Sequence, residues 1–247
     1  WKTRYLLVEL IDEILGVMDA DPSYRCFLMD GQSAPVADYL QIRPEMEQKI
    51  RDYVKEGRMK IGPWFTLPDP WPVDGECLVR NLLKGIRYSN SLGGCSRIGY
   101  TSFGWGQTAQ FPQIHAGFGL DFIVTAKRVS TERAPDAEFW WESPDGTRVL
   151  TTKLGKNVRH NLFVNAYVPA IYGMDLFGPD YRFTPDVAGV VFHRADEEHW
   201  GRDHFKVADH PRYCPEVVEE YVDRAWKDTD NTLVPEHRLF LAGCDFA

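Results

Sequence analysis

Runs of apolar residues at helical spacing alternate with short apolar stretches that stop at turn residues, and this alternation most constrains the fold. Leu6, Leu7, Leu10, Ile11, Ile14, Leu15 and Met18 mark one side of a first helix, which Asp21-Pro22 ends. Residues 26–29 are too few for a helix and run into Asp30-Gly31, so they read as a buried strand and its turn. Pro44 opens a second helix with Met46, Ile50, Tyr53 and Val54 on one face, and Gly57 sits where a left-handed cap belongs. A strand at 59–61 breaks at Gly62-Pro63. Leu78, Leu82, Leu83 and Ile86 then mark a third helix, ended by Gly93-Gly94. Residues 98–100 read as a strand, 107–115 as a short helix limited by Pro112, and 122–126 as another strand. Strands and helices in strict alternation argue for a parallel sheet with helices packed on it, hence an α/β fold.

A hairpin interrupts the series, with arms at 138–142 and 147–154 around the turn Ser143-Pro144-Asp145-Gly146. Residues 155–211 mix aromatics, Pro and Gly without a period, which reads as loops around a site or an insertion. A helical face returns after Pro215, at Val217, Val218, Tyr221, Val222, Ala225 and Trp226. A last strand at 239–242 leads into Gly243-Cys244-Asp245-Phe246. With 247 residues, 44% of them apolar, the chain fits one α/β domain spanning 1–247, since such barrels run to about 250 residues.

The formal charge of −8 argues against a nucleic-acid partner, because phosphate binding needs a basic footprint. No apolar stretch approaches the roughly 20 residues that span a bilayer, so no membrane segment is expected. A homo-oligomer is left open. The five cysteines include no C-x-x-C pair, which disfavours a thiolate zinc site. Buried free thiols in a reducing compartment are the expectation, with the cytoplasm as location.

In a parallel barrel catalytic groups gather at the C-terminal ends of strands. That rule selects Asp30, the loop 64–69, the loop 101–106, and Asp245. A carboxylate after Gly243 is well placed as a general acid; an Asp capping the next helix is the competing reading. Trp64, Trp71 and Trp105 follow strands closely, and sugar rings stack their C–H faces on indoles, so a carbohydrate site is suggested. Core packing is the alternative, and the better one for Trp140 and Trp141, whose side chains leave a strand on opposite sides. Trp64, Asp69, Trp105, Lys127 and Arg128 are the candidate substrate-binding residues. His193, His199, His204 and His210 are spaced by six, five and six, unlike ligands on one helix face, and read as loop residues.

Several motifs in one order resemble glycoside hydrolase family 38, the retaining α-mannosidases. They are Met29-Asp30-Gly31-Gln32; the run from Ile61 to Asp69 with Gly75-Glu76 and Leu78 to Leu82; Gly106-Gln107 through Ile114 with Gly117 to Asp121; Trp141-Glu142-Ser143-Pro144-Asp145-Gly146; and Gly243-Cys244-Asp245-Phe246. The resemblance implies a seven-stranded (β/α) barrel, a zinc ion, a glycan substrate and double displacement at α-mannosides, with Asp245 as general acid/base. It further implies that the zinc ligands lie upstream of Trp1 and downstream of Ala247, so the barrel is expected to be incomplete at both ends.

One departure matters for chemistry. Alignment on Gly106-Gln107 puts Phe103 at the family's nucleophile position, and no Asp or Glu lies between Ser96 and Leu120. Three readings follow: a mannosidase whose nucleophile comes from elsewhere, Asp69 or Asp74 for example; a glycan-binding pseudoenzyme; or a barrel of the polysaccharide-deacetylase kind. The third lacks a visible metal triad.

Overall fold

The computed structural model describes residues 2–101, 106–125, 129–155, 162–172 and 213–242. These fall into two compact units, Trp1–Val129 with Phe139–Thr152, and Ser130–Glu138 with Lys153–Ala247.

In the first unit α1 (Lys2–Ala20) is followed by β1 (Phe27–Leu28), α2 (Ala34–Ile42), α3 (Glu47–Lys55) and β2 (Met59–Lys60). Then come α4 (Gly75–Ser91), β3 (Gly99–Tyr100), α5 (Phe111–Gly117), β4 (Phe122–Val124), β5 (Glu138–Glu142) and β6 (Arg148–Thr152). β1 and β2 pair in parallel, and β3, β4, β6 and β5 form a second sheet in that order. The β3–β4 and β4–β6 pairs are parallel. The α/β character is therefore present, while the described strands form two small sheets and not a closed seven-stranded barrel.

The apolar stripe of α1 is wider than what it buries. Ile11, Leu15 and Met18 are in the core, whereas Leu6 and Leu10 are exposed. Ile50, Tyr53 and Val54 of α3, at i, i+3 and i+4, close on the same cluster with Met59 and Ile61. Gly57 has φ +76°, the left-handed cap expected of it. The nine-residue α2 was not legible in the sequence, because only Val36 and Tyr39 bury in it. α4 begins at Asp74, whose carboxylate accepts from the Glu76 N–H at 2.9 Å. Its buried face, Leu78, Leu82, Gly85 and Ser89, lies against the loop after β2.

The expected hairpin forms, with β5 and β6 neighbours in the sheet and Ser143 N–H donating to Thr147 O at 2.8 Å across the turn. Its second arm, β6, does not protrude but pairs in parallel with β4, with Ile123 opposite Thr151. Val149, Thr151 and Thr152 are buried there, so the strand is held by its own burial and not only by the turn. Trp141 packs on Phe111 while Trp140 is exposed, as their opposite directions require.

In the second unit a π-helical turn (Phe163–Tyr167) runs into α6 (Val168–Tyr172), inside the stretch that the sequence left without a period. α7 (Val218–Asp228) follows a 3-10 turn at Pro215–Val217. The last expected strand is reduced to a single bridge residue, Leu241, whose carbonyl accepts from Leu162 N–H at 2.7 Å. The expectation of buried thiols also fails in part: Cys26 and Cys77 are free and exposed. Burial pushes the Cys95 thiol up to about 11. No helix among the described residues is long and apolar enough to cross a membrane.

Candidate active site

The strand ends selected by sequence are knitted together by backbone. Gly31 O accepts from Trp64 N–H at 3.1 Å, and Phe65 O accepts from the N–H groups of Ser33 and Ala34 at 3.1 and 2.7 Å. The Gln32 side chain adds an acceptor for Leu67 N–H at 3.1 Å. These bonds fasten the loop after β1 to the loop after β2. Asn81 of α4 fixes the latter from below: Oδ1 accepts from Phe65 and Thr66 N–H, both at 3.0 Å, and Nδ2 donates to Thr66 O at 2.7 Å.

Trp64 ties the second strand end to the third. Its Nε1 donates to Tyr100 O at 2.7 Å, and its ring meets Phe111 and His115 edge to face. At 0% exposure it presents no face to a sugar. The sugar-platform reading of Trp64 is therefore corrected: it is core, because its indole N–H finds a buried acceptor and its faces find aromatic partners. The Tyr100 hydroxyl returns to the first strand end, donating to Asp30 Oδ1 at 2.7 Å. Asp30 is exposed, with φ 46° in the Asp-Gly turn. Thr101 Oγ1, Gln107 Oε1 and Thr125 Oγ1 are buried near the same edge without partners among the described residues.

Of the other carboxylates considered, Asp74 is the cap of α4, which argues against its acting as nucleophile. Asp69 is half-buried and accepts the Trp71 N–H on Oδ1 at 3.2 Å. Trp71, one of the indoles that follow strand ends, is 84% exposed. Phe103, Trp105, Lys127, Arg128 and Asp245 lie outside the described residues, as do His193, His199, His204 and His210. Beneath the edge, His115 is fully buried; its Nδ1 is 2.8 Å from Phe111 O, and desolvation pulls its pKa down to about 4. Among the described residues no three His, Cys, Asp or Glu side chains converge where a metal could sit. They do not fit a zinc site.

The family model for the glycosyl hydrolase family 38 N-terminal domain matches residues 2–246. The chain belongs to glycosyl hydrolase family 38. It is similar to a protein from Halalkalibacterium halodurans named "Putative mannosylglycerate hydrolase", with 38% identity over 159 residues, 60% of this chain and 18% of that protein. Among solved structures, an alpha-mannosidase from Enterococcus faecalis V583 superposes with a TM-score of 0.55 and 32% identity, over 61% of this chain and 17% of that one. A second family 38 structure from Enterococcus faecalis gives a TM-score of 0.53 and 30% identity, over 62% and 17% of the two chains. The chain thus spans less than a fifth of the length of these family 38 relatives.

Proposed function

We propose that the protein bearing this chain is a retaining α-mannosidase acting on terminal α-mannosides of glycans, built on a seven-stranded (β/α) barrel to which these residues contribute. The family match across residues 2–246 carries the reading, and the resemblance to an Enterococcus alpha-mannosidase supports it. The edge at which the loops after β1 and β2 meet Tyr100 at the end of β3 is consistent with it, since such edges hold the chemistry of parallel barrels.

Asp245 is assigned as general acid/base. It gives its proton to the leaving glycosidic oxygen as the C–O bond breaks, then takes a proton from the water that attacks the covalent intermediate. Phe103 has no lone pair to attack the anomeric carbon. We assign the attack to Asp30, an exposed carboxylate at a strand end whose Oδ1 receives the Tyr100 hydroxyl. That bond orients the carboxylate at the strand end. Asp69, Trp105, Lys127 and Arg128 are assigned to the substrate hydroxyls and rings.

The test uses the full-length protein. Retention requires that the mannose first released from α-linked mannobiose be the α anomer, followed by proton NMR. Asp30→Asn should lower kcat by at least 1,000-fold, on the order seen when single catalytic groups are removed. Asp245→Asn should cost far more on methyl α-mannoside than on p-nitrophenyl α-mannoside, whose leaving group needs little protonation. Release of β-mannose first would refute the retaining assignment. Binding of mannobiose without turnover would favour the second reading, a glycan-binding pseudoenzyme, which Phe103 at the nucleophile position supports.

A further inference from the structure

Trp71 stands in the segment Pro68-Asp69-Pro70-Trp71-Pro72, four residues past the Leu67 N–H that Gln32 holds. The prolines fix φ on either side of the tryptophan, and Asp69 Oδ1 takes the Trp71 N–H at 3.2 Å, so the indole is presented from a stiffened turn. It is nevertheless 84% exposed. Its neighbour on the edge is Gly106, where an added Cβ would lie 3.8 Å from Trp71 Cε3. A Cβ there would meet the indole edge at ordinary van der Waals distance, so Gly106 borders the ring without covering it. Beside it, Asp69 Oδ2 has no partner among the described residues and is free to accept two hydroxyls. An open indole face next to a free carboxylate matches a pyranose, which has one apolar C–H face and a rim of hydroxyl donors.

We infer that Trp71 and Asp69 form a subsite for a second sugar ring, on the leaving-group side of the bond that is cut. The inference rests on the mannosidase reading above and names its substrate class: α-mannosyl oligosaccharides, in preference to mannosides of ringless alcohols. The leaving-group side follows from exposure. The terminal ring that is cut off must be enclosed by the catalytic groups, and an indole this open to solvent belongs to the rim.

The experiment compares kcat/KM on α-linked mannobiose and on methyl α-mannoside for the full-length protein. Trp71→Ala should lower the mannobiose-to-methyl ratio about tenfold, ~1.4 kcal/mol. Trp71→Phe should restore most of the ratio, and Asp69→Asn should lower it through KM on mannobiose. An unchanged ratio in Trp71→Ala, with the wild type active, overturns the inference and leaves the mannosidase reading intact. A ratio unchanged together with a lower melting temperature also overturns it, by assigning the indole to packing against the rest of the protein. A wild type inert on both substrates overturns the mannosidase reading, and the inference with it.

Discussion

Replacing His115 by Leu removes one titrating group from beneath the strand ends and should flatten the acid limb of the stability profile. The imidazole is buried, with Nδ1 at 2.8 Å from Phe111 O and Nε2 turned toward Gly99, where an added Cβ would lie 3.1 Å from it. Neutral imidazole suits that place: Nδ1–H donates to the carbonyl, and Nε2 carries no proton. Protonation would put an N–H at Nε2 with no acceptor facing it. Desolvation accordingly lowers the pKa from 6.5 to about 4, against a smaller opposing effect of the Phe111 carbonyl. Between those values the unfolded chain binds the proton and the folded one does not, so stability falls as pH falls. The loss begins near 6.5, reaches about 2 kcal/mol by pH 5 and about 3 kcal/mol by pH 4. The assay is urea unfolding at several pH values, read as the difference between wild type and His115→Leu, which cancels the carboxylates common to both. The difference should be flat above pH 7 and move by about 3 kcal/mol in the variant's favour by pH 4. A constant difference from pH 7 to pH 4 would refute the argument, because it would mean that the folded imidazole titrates as freely as the unfolded one.

Gly85→Ala should prevent folding, since its Cβ would lie 2.2–2.3 Å from backbone atoms of Pro63, Trp64 and Phe65, which cannot give way; soluble protein with a wild-type near-ultraviolet spectrum would contradict the close approach of α4 to this loop. Asn81→Ala should cost about 2 kcal/mol, given three lost bonds to a partly buried loop, with faster amide exchange at Phe65 and Thr66. Unchanged exchange at those two amides would mean that Asn81 does not fix the loop.

The elements read most securely were those whose burial is periodic. α1, α3 and α4 each bury residues spaced three or four apart, and that spacing is visible without coordinates. Strand ends were legible too, because Asp30-Gly31 and Gly62-Pro63 interrupt apolar runs with turn residues. α2 escaped notice because two buried residues among nine make no recognisable stripe. The two tryptophans after β2 carry the same lesson for the site. Nothing local separates Trp64 from Trp71: both follow a proline and both lie in one loop. One is enclosed and the other open because Phe111, His115 and the Tyr100 carbonyl, far away in sequence, close only on the first.

The sequence by itself determined that strands and helices alternate, that carboxylates and indoles crowd the strand ends, and which family these motifs resemble. Each of those properties is written in neighbouring residues, as periodicity, turn chemistry or a motif. Only the tertiary structure decided that β6 joins β4 in parallel, that Trp64 is core, and that the Tyr100 hydroxyl reaches Asp30. Those outcomes depend on partners 28 to 70 residues apart. A side chain's exposure and hydrogen bonding are set by whatever the fold brings against it, and short-range pattern does not encode that.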